Sequence, residues 1–173
     1  MLASASPRRE ELLNQLKLKF TIVPSRIDES QFNNLKPADM VEKLAVAKAE
    51  AVSALVEDTV IISSDTVFLY HDRVLNKPKD AEDAKNMLSS LSGGKHQVIT
   101  AVALMNSETN EYLVEHDITS VYMEEISEEE INKYIETGEP MGKAGAYAIQ
   151  GLGALFVKKI KGSYYSVVGL PLN

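Results

Sequence analysis

Apolar residues recur along this chain with two periods, and the places where the period changes mark its predicted elements. Leu12, Leu13 and Leu16 form a helical stripe behind Ser6-Pro7, a good cap followed by a residue suited to the first helical position. Leu18 to Val23 alternates as a strand and is closed by Pro24. Pro37-Ala-Asp39 opens a second helix to about Leu55, with Val41, Leu44, Ala45, Val52 and Leu55 on one face. Thr59 to Tyr70, TVIISSDTVFLY, is a long β-branched and aromatic strand, followed by a turn at His71-Asp-Arg73 and the pair Val74-Leu75. Asp80 caps a third helix with Ala84, Met87, Leu88 and Leu91 inward, stopped by Gly93-Gly94. Gln97 to Met105 and Tyr112 to Met123 are expected as strands joined by a polar turn at Asn106–Asn110. Ser127 to Glu130 spells a capping box ahead of Ile131, Tyr134 and Ile135, and Gly138 closes that helix.

The last third changes character. All nine glycines lie after residue 92, seven of them between Gly138 and Gly169. Gly142 to Gly153 is too rich in glycine for a stable helix and too irregular for a repeat, and such loops let backbone approach a ligand closely. Lys143 and Gln150 are its polar side chains. Val167 to Pro171 is expected as a final turn.

Several charged residues break the pattern. Arg8 and Arg9 stand in the first turn of the first helix, where the macrodipole already presents positive charge and each cation is unfavourable by roughly 0.3–1 kcal/mol. Free backbone N–H groups and two guanidinium forks would reverse that sign for a bound anion; the alternative is a solvated pair. Lys48 falls on the apolar stripe of the second helix. It either snorkels to the edge of the core or reaches a buried anion. Asp65 interrupts the long strand inside the polar insert Ser63-Ser64-Asp65-Thr66. A carboxylate there is costly to bury unless it is paired or on a metal, so Asp65 is the leading candidate for a reactive carboxylate, against an outward-facing residue on an antiparallel strand. Asp28-Glu29 is an adjacent acidic pair of the kind that binds Mg²⁺ or is simply solvated. Lys77 and Lys79 flank Pro78 in an extended or turn segment.

Composition narrows the classes. The 173 residues suit one domain, and 45% hydrophobic with 25% charged residues is an ordinary globular balance. With no cysteine, disulfides and thiolate metal sites are excluded. The net charge of −7 argues against broad binding to nucleic acid or anionic membrane, while local positive charge would still suit a small polyanion. Three scattered histidines lack zinc-ligand spacing. No membrane-length apolar run or signal-peptide pattern is present, so a cytoplasmic protein is the expectation. Ser92-Gly-Gly-Lys95 is not a P-loop.

Taken together these stretches resemble the Maf family of nucleoside triphosphate pyrophosphatases. The resemblance is carried by LASASPRREELL (2–13), LAVAKAEAV (44–52), SSDTVF (63–68), LNKPKDAEDAKNML (75–88), LSGGKHQVIT (91–100), GKAGAYAIQGLGALFV (142–157) and GSYYSVVGLPL (162–172), in order and over nearly the whole chain. It implies an α/β fold with an elongated, twisted mixed sheet and flanking helices, akin to the inosine-triphosphate pyrophosphatases. One domain over 1–173, with two lobes around a cleft and no separable linker, is expected, commonly as a homodimer. Family members begin with a few more strand residues and continue past GLPL into a helix, so those segments are expected to lie outside this chain.

The resemblance also implies an activity: hydrolysis of nucleoside triphosphates to monophosphate and diphosphate with Mg²⁺ or Mn²⁺. Asp65 matches the catalytic position, usually assigned as proton acceptor, and with Glu29 would hold the metal. Ser4, Ser6, Arg8 and Arg9 match the SxSPRR loop, and Lys48 and Lys77 match the phosphate-binding lysines. Arg9, Thr66 and Gln150 match the positions that separate the dTTP/UTP branch from the 7-methyl-GTP branch, and all three carry the dTTP/UTP residue types. The implied role is a housecleaning enzyme acting on dTTP, UTP or modified pyrimidine triphosphates. The alternative is a nucleotide-binding regulator without useful catalysis, linked to septum formation; a phosphatase releasing orthophosphate first is a third reading.

Overall fold

The computed structural model describes residues 1–173. Its regular elements are helices α1 (Pro7–Gln15), α2 (Pro37–Ser53), α3 (Ala81–Leu91), α4 (Glu128–Glu136) and α5 (Tyr164–Val168), and strands β1 (Val60–Tyr70), β2 (Arg73–Leu75), β3 (Lys95–Asn106), β4 (Tyr112–Met123) and β5 (Val157–Lys161). The strands form one antiparallel sheet in the order β2-β1-β3-β4-β5. Phe68 faces Leu75 across the β1–β2 ladder, and Val121 faces Ile160 across β4–β5, where a bulge at Tyr122/Met123 shifts the register. The parallel component of the expected mixed sheet resides in single bridges, Leu2 with Ile22 and Leu2 with Ile62.

Three expectations change. The second helix ends at Ser53, and Leu55, expected on its inward face, is 71% exposed. Leu18 to Val23 is no strand beyond that bridge at Ile22. Its alternation does not bury one face: Leu18 is 50% and Ile22 39% exposed, and Val23, of opposite parity, is the residue packed against a core. The segment Val167 to Pro171 is not simply a turn, because α5 runs through Val168 before Gly169. The caps mostly follow the chemistry of their residues. Asp80 accepts from the Asp83 amide, and Ser127 and Glu130 form both bonds of the capping box. Ser6 stands at the start of α1 without a side-chain capping bond; its amide instead donates to Ser4 Oγ at 3.1 Å.

The chain divides into two compact units, and β1, β3 and β4 contribute residues to both. The first comprises 1–66, 99–117 and 169–173. Ala3, Ala49, Val52, Ile61 and Met105 form its buried cluster, with Met1, Val23, Val46 and Val56 against it. The inward stripe of α2 is Val41, Leu44, Ala45, Lys48, Ala49 and Val52, as its 3.6-residue period requires. The second unit comprises 67–98 and 118–168. Leu88, Leu91, Val98, Val121, Met123, Ile131 and Phe156 belong to its core. No helix is long and apolar enough to cross a membrane.

His96 lies within the second core, 1% exposed and stacked on Phe68 at 5.4 Å. The Tyr147 hydroxyl donates to its Nε2 at 2.7 Å, and Nδ1–H faces the Gln97 carbonyl, which only accepts. Burial lowers its pKa to about 4. The unfolded chain therefore binds the extra proton first, near pH 6.5, and stability is expected to fall as pH drops from there to about 4, by about 3 kcal/mol in total. Denaturant unfolding across that range should show the decline, and His96→Gln, which cannot titrate, should flatten it. An unchanged slope in the variant contradicts this assignment.

Candidate active site

Strand β1 presents four consecutive polar side chains, and strand alternation sends them to two destinations. Ser63 Oγ donates to the Ala45 carbonyl at 2.5 Å, and Asp65 accepts from Lys48 Nζ at 2.5 Å. Both thus meet the inward stripe of α2, where residues three apart share a face. Ser64 Oγ donates to the Gly169 carbonyl at 2.9 Å, and Thr66 Oγ1 accepts from Arg9 Nη2 at 3.3 Å. The polar insert is a docking seam for a helix on one side and for Arg9 and Gly169 on the other.

The first side holds a three-membered charge cluster. Lys48 Nζ lies 2.5 Å from Asp65 Oδ1 and 2.8 Å from Glu29 Oε1. The Lys48 and Asp65 side chains are only 10% and 11% exposed, whereas Glu29 is 58% exposed. Of the two readings of Lys48, the one reaching a buried anion holds. Burial raises the Asp65 carboxyl above its ordinary value; the charge and hydrogen bond of Lys48 and the charge of Arg9 oppose this, and Glu29 adds to it. A buried acid whose pKa is raised is a better proton acceptor than a solvated carboxylate. Glu29 reaches the cluster because Asp28 spends its own carboxylate elsewhere, accepting from the Ser30 amide at 3.0 Å to cap a 3-10 turn over Glu29–Phe32.

The second side is a clamp on Arg9. Its Nε donates to the Gly169 carbonyl at 2.8 Å, Nη1 to Ser4 Oγ at 3.2 Å and Nη2 to Thr66 Oγ1. Thr100 Oγ1 donates to the same Thr66 oxygen at 3.0 Å. Burial works against the guanidinium charge and Asp65 supports it, while Arg8, half-buried one residue away, works against it too. Three of the five N–H groups of Arg9 are committed to protein acceptors, leaving two for a ligand. No lysine has this fork. Arg9→Lys is expected to cost about 1–2 kcal/mol through orphaned acceptors, read as a melting temperature lowered by roughly 2–8 °C. An unshifted melting curve contradicts the clamp.

Ser4, Ser6, Arg8, Arg9, Glu29, Lys48, Asp65 and Thr66 thus all belong to the first unit, and most are joined by the contacts above. Lys77, exposed in the segment after β2, and Gln150, half-buried in the glycine-rich loop, belong to the second unit and stand outside this network. Sequence reasoning did not single out Gly169 and Thr100. Gly169 adopts φ +125°, which an L side chain rarely does, and that lets its carbonyl serve Ser64 and Arg9 together. Its signal was one glycine in a glycine-rich tail, and that of Thr100 one threonine in an apolar strand.

Glu29 and Asp65 supply two hard oxygen donors aimed at one point, where the Lys48 ammonium now lies. Mg²⁺ is commonly held by one or two carboxylates, with water and substrate phosphate completing its shell, so this donor set fits such an ion. The family description "Maf-like protein" matches residues 1–173 in full. The chain belongs to the Maf family. A dTTP/UTP pyrophosphatase from Pelotomaculum thermopropionicum is 49% identical over 172 residues, covering 99% of this chain and 90% of the relative. One from Moorella thermoacetica is 50% identical, covering 99% and 89%, and one from Ruminiclostridium cellulolyticum is 48% identical, covering 100% and 90%. The charge cluster of Lys48, Asp65 and Glu29 brings one ammonium and two carboxylates together in this chain.

Proposed function

We propose that this chain is a dTTP/UTP pyrophosphatase, releasing nucleoside monophosphate and diphosphate from a pyrimidine nucleoside triphosphate. The observation that carries the reading is the buried Asp65 carboxylate, held by Lys48 beside Glu29 and close to the Arg9 clamp, in a chain whose Maf relatives bear that name. Asp65 orients the attacking water and accepts its proton as the oxygen bonds to the α-phosphorus and the bond to the β-phosphate oxygen breaks. Lys48, Arg8 and Arg9 supply positive charge for the phosphates, with Ser4 and Ser6 lining the loop that carries the arginines. Lys77 is assigned to phosphate binding, and Arg9, Thr66 and Gln150 to base selection. Glu29 and Asp65 would hold Mg²⁺ or Mn²⁺, which when bound supplies Lewis acidity toward phosphate oxygens. The same reading takes the cytoplasm as the compartment and a homodimer as the assembly.

The test is a panel of canonical and modified triphosphates, with and without Mg²⁺, scored for each product. UTP and dTTP are expected to yield monophosphate and diphosphate in equal amounts. Orthophosphate as first product contradicts the reading, and nucleotide binding with no product favours the regulator.

A further inference from the structure

A second carboxylate, outside the cluster on β1, organises the loop that carries Gln150. Glu139 follows Gly138 at the end of α4 and is half-buried. Its Oε1 accepts from the Tyr134 hydroxyl at 3.0 Å and from the Gly153 amide at 3.0 Å, and its Oε2 accepts from the Leu152 amide at 3.1 Å. Its own carbonyl accepts from Lys143 Nζ at 2.5 Å. The near and far ends of the glycine-rich loop are therefore tied to one residue, and Gln150 lies two positions before the first amide so held.

One glycine of the loop meets this carboxylate directly, and a second meets its tyrosine partner. A Cβ at Gly151, where φ is +93°, would stand 2.8 Å from Glu139 Oε2. A Cβ at Gly153 would stand 2.5 Å from the Ala148 carbonyl and 2.8 Å from the Tyr134 hydroxyl. Tyr134 is itself fixed edge-on against Phe156 at 4.9 Å, so the anchor is part of the core. Three donors converge on two oxygens, and an ionised carboxylate accepts at both and donates at neither. Glutamine keeps the shape but turns an NH₂ toward an N–H. Burial pushes the Glu139 carboxyl upward, yet the Gly153 and Leu152 amides, the Tyr134 hydroxyl and the Lys143 charge outweigh it and hold the group below its usual range.

We propose that Glu139 is a positioning residue for base selection: it pins the loop so that the Gln150 amide is held ready for a pyrimidine edge. This rests on the assignment of Gln150 to base selection made above. It assigns Glu139 no contact with substrate, only control of the backbone that carries the reader.

The experiment compares kcat and KM for UTP and CTP, which differ in donor and acceptor pattern but hardly in size, in the parent chain, Glu139→Gln, Gln150→Ala and the double variant, with melting curves for each. In Glu139→Gln the UTP-to-CTP ratio of kcat/KM is expected to fall by about tenfold, chiefly through KM for UTP. The double variant should match Gln150→Ala alone, because the two residues act in series. Equal losses on both nucleotides, or independent effects in the double variant, overturn the proposal. If Gln150→Ala leaves the ratio intact, the assignment of Gln150 fails, and the proposal with it, whatever Glu139 does. Should Glu139→Gln fail to fold, Tyr134→Phe, which removes one of the three donors, decides: a smaller fall in the ratio supports the proposal and an unchanged ratio overturns it.

Discussion

Asp65→Asn is expected to lose about 10²–10⁴-fold in triphosphate turnover, the range a positioned general base supplies, while melting no earlier than the parent chain. The two halves of that expectation share one cause. Burial holds the Asp65 carboxyl above its ordinary range despite Lys48 and Arg9, so the folded protein disfavours the ionised form that the chemistry needs. Asparagine removes the burdened charge and keeps a carbonyl oxygen for Lys48, which also retains Glu29 at 2.8 Å. The pH dependence has a definite sign. The folded state binds the Asp65 proton more tightly than the unfolded state does, so the parent loses stability as pH rises through the folded-state pKa. Asp65→Asn lacks that loss. A variant with full turnover, or one that melts well below the parent, contradicts the role given to this residue.

Lys48→Met carries the second large effect, and on the opposite quantity. Methionine fills the volume of the stem but leaves the Asp65 carboxylate, only 11% exposed, without its nearest cation. Stripping one partner from a buried ion pair costs about 3 kcal/mol or more, which for a chain of this size lowers the melting temperature by roughly 6–12 °C. The informative companion is Lys48→Met with Asp65→Asn. With the buried charge gone the double variant should regain most of that loss, although it remains inactive. Losses that simply add would show that Lys48 supports the fold through packing alone.

Much of this site was legible in the sequence, for a reason visible in the residues themselves. Arg8 and Arg9 in a first turn, Lys48 on an apolar stripe and Asp65 in a strand each break a local rule, and such breaks mark places where tertiary partners or a ligand supply the compensation. For Lys48 and Asp65 the compensation is each other; for Arg9 it is Ser4, Thr66 and Gly169. What periodicity could not give was the partner of each break. Contacts between residues 9 and 169 or between 66 and 100 depend on which strands are neighbours, and no local spacing encodes that. Hence Gly169 and Thr100 went unmarked. The segment from Leu18 to Val23 failed in the converse way: alternation survived in a stretch whose Leu18 and Ile22 stay exposed, so the pattern signalled a strand that packing does not build.

Glu139 shows a further limit of reading by anomaly. An acidic residue after a helix-closing glycine looks like ordinary solvated surface, and only the folded loop reveals that its carboxylate gathers two amides and a phenol. Resemblance to a family draws attention to the loop and to Gln150, while the restraint that shapes the loop lies in a residue of unremarkable type.

The most direct test of the central claim is hydrolysis of UTP in ¹⁸O-labelled water, with the label followed by mass spectrometry. Water held by Asp65 and delivered to the α-phosphorus places the label in the monophosphate and leaves the diphosphate unlabelled. Label recovered in the diphosphate or in orthophosphate would mean that the bond broken, and the carboxylate's place beside it, are not those assigned here.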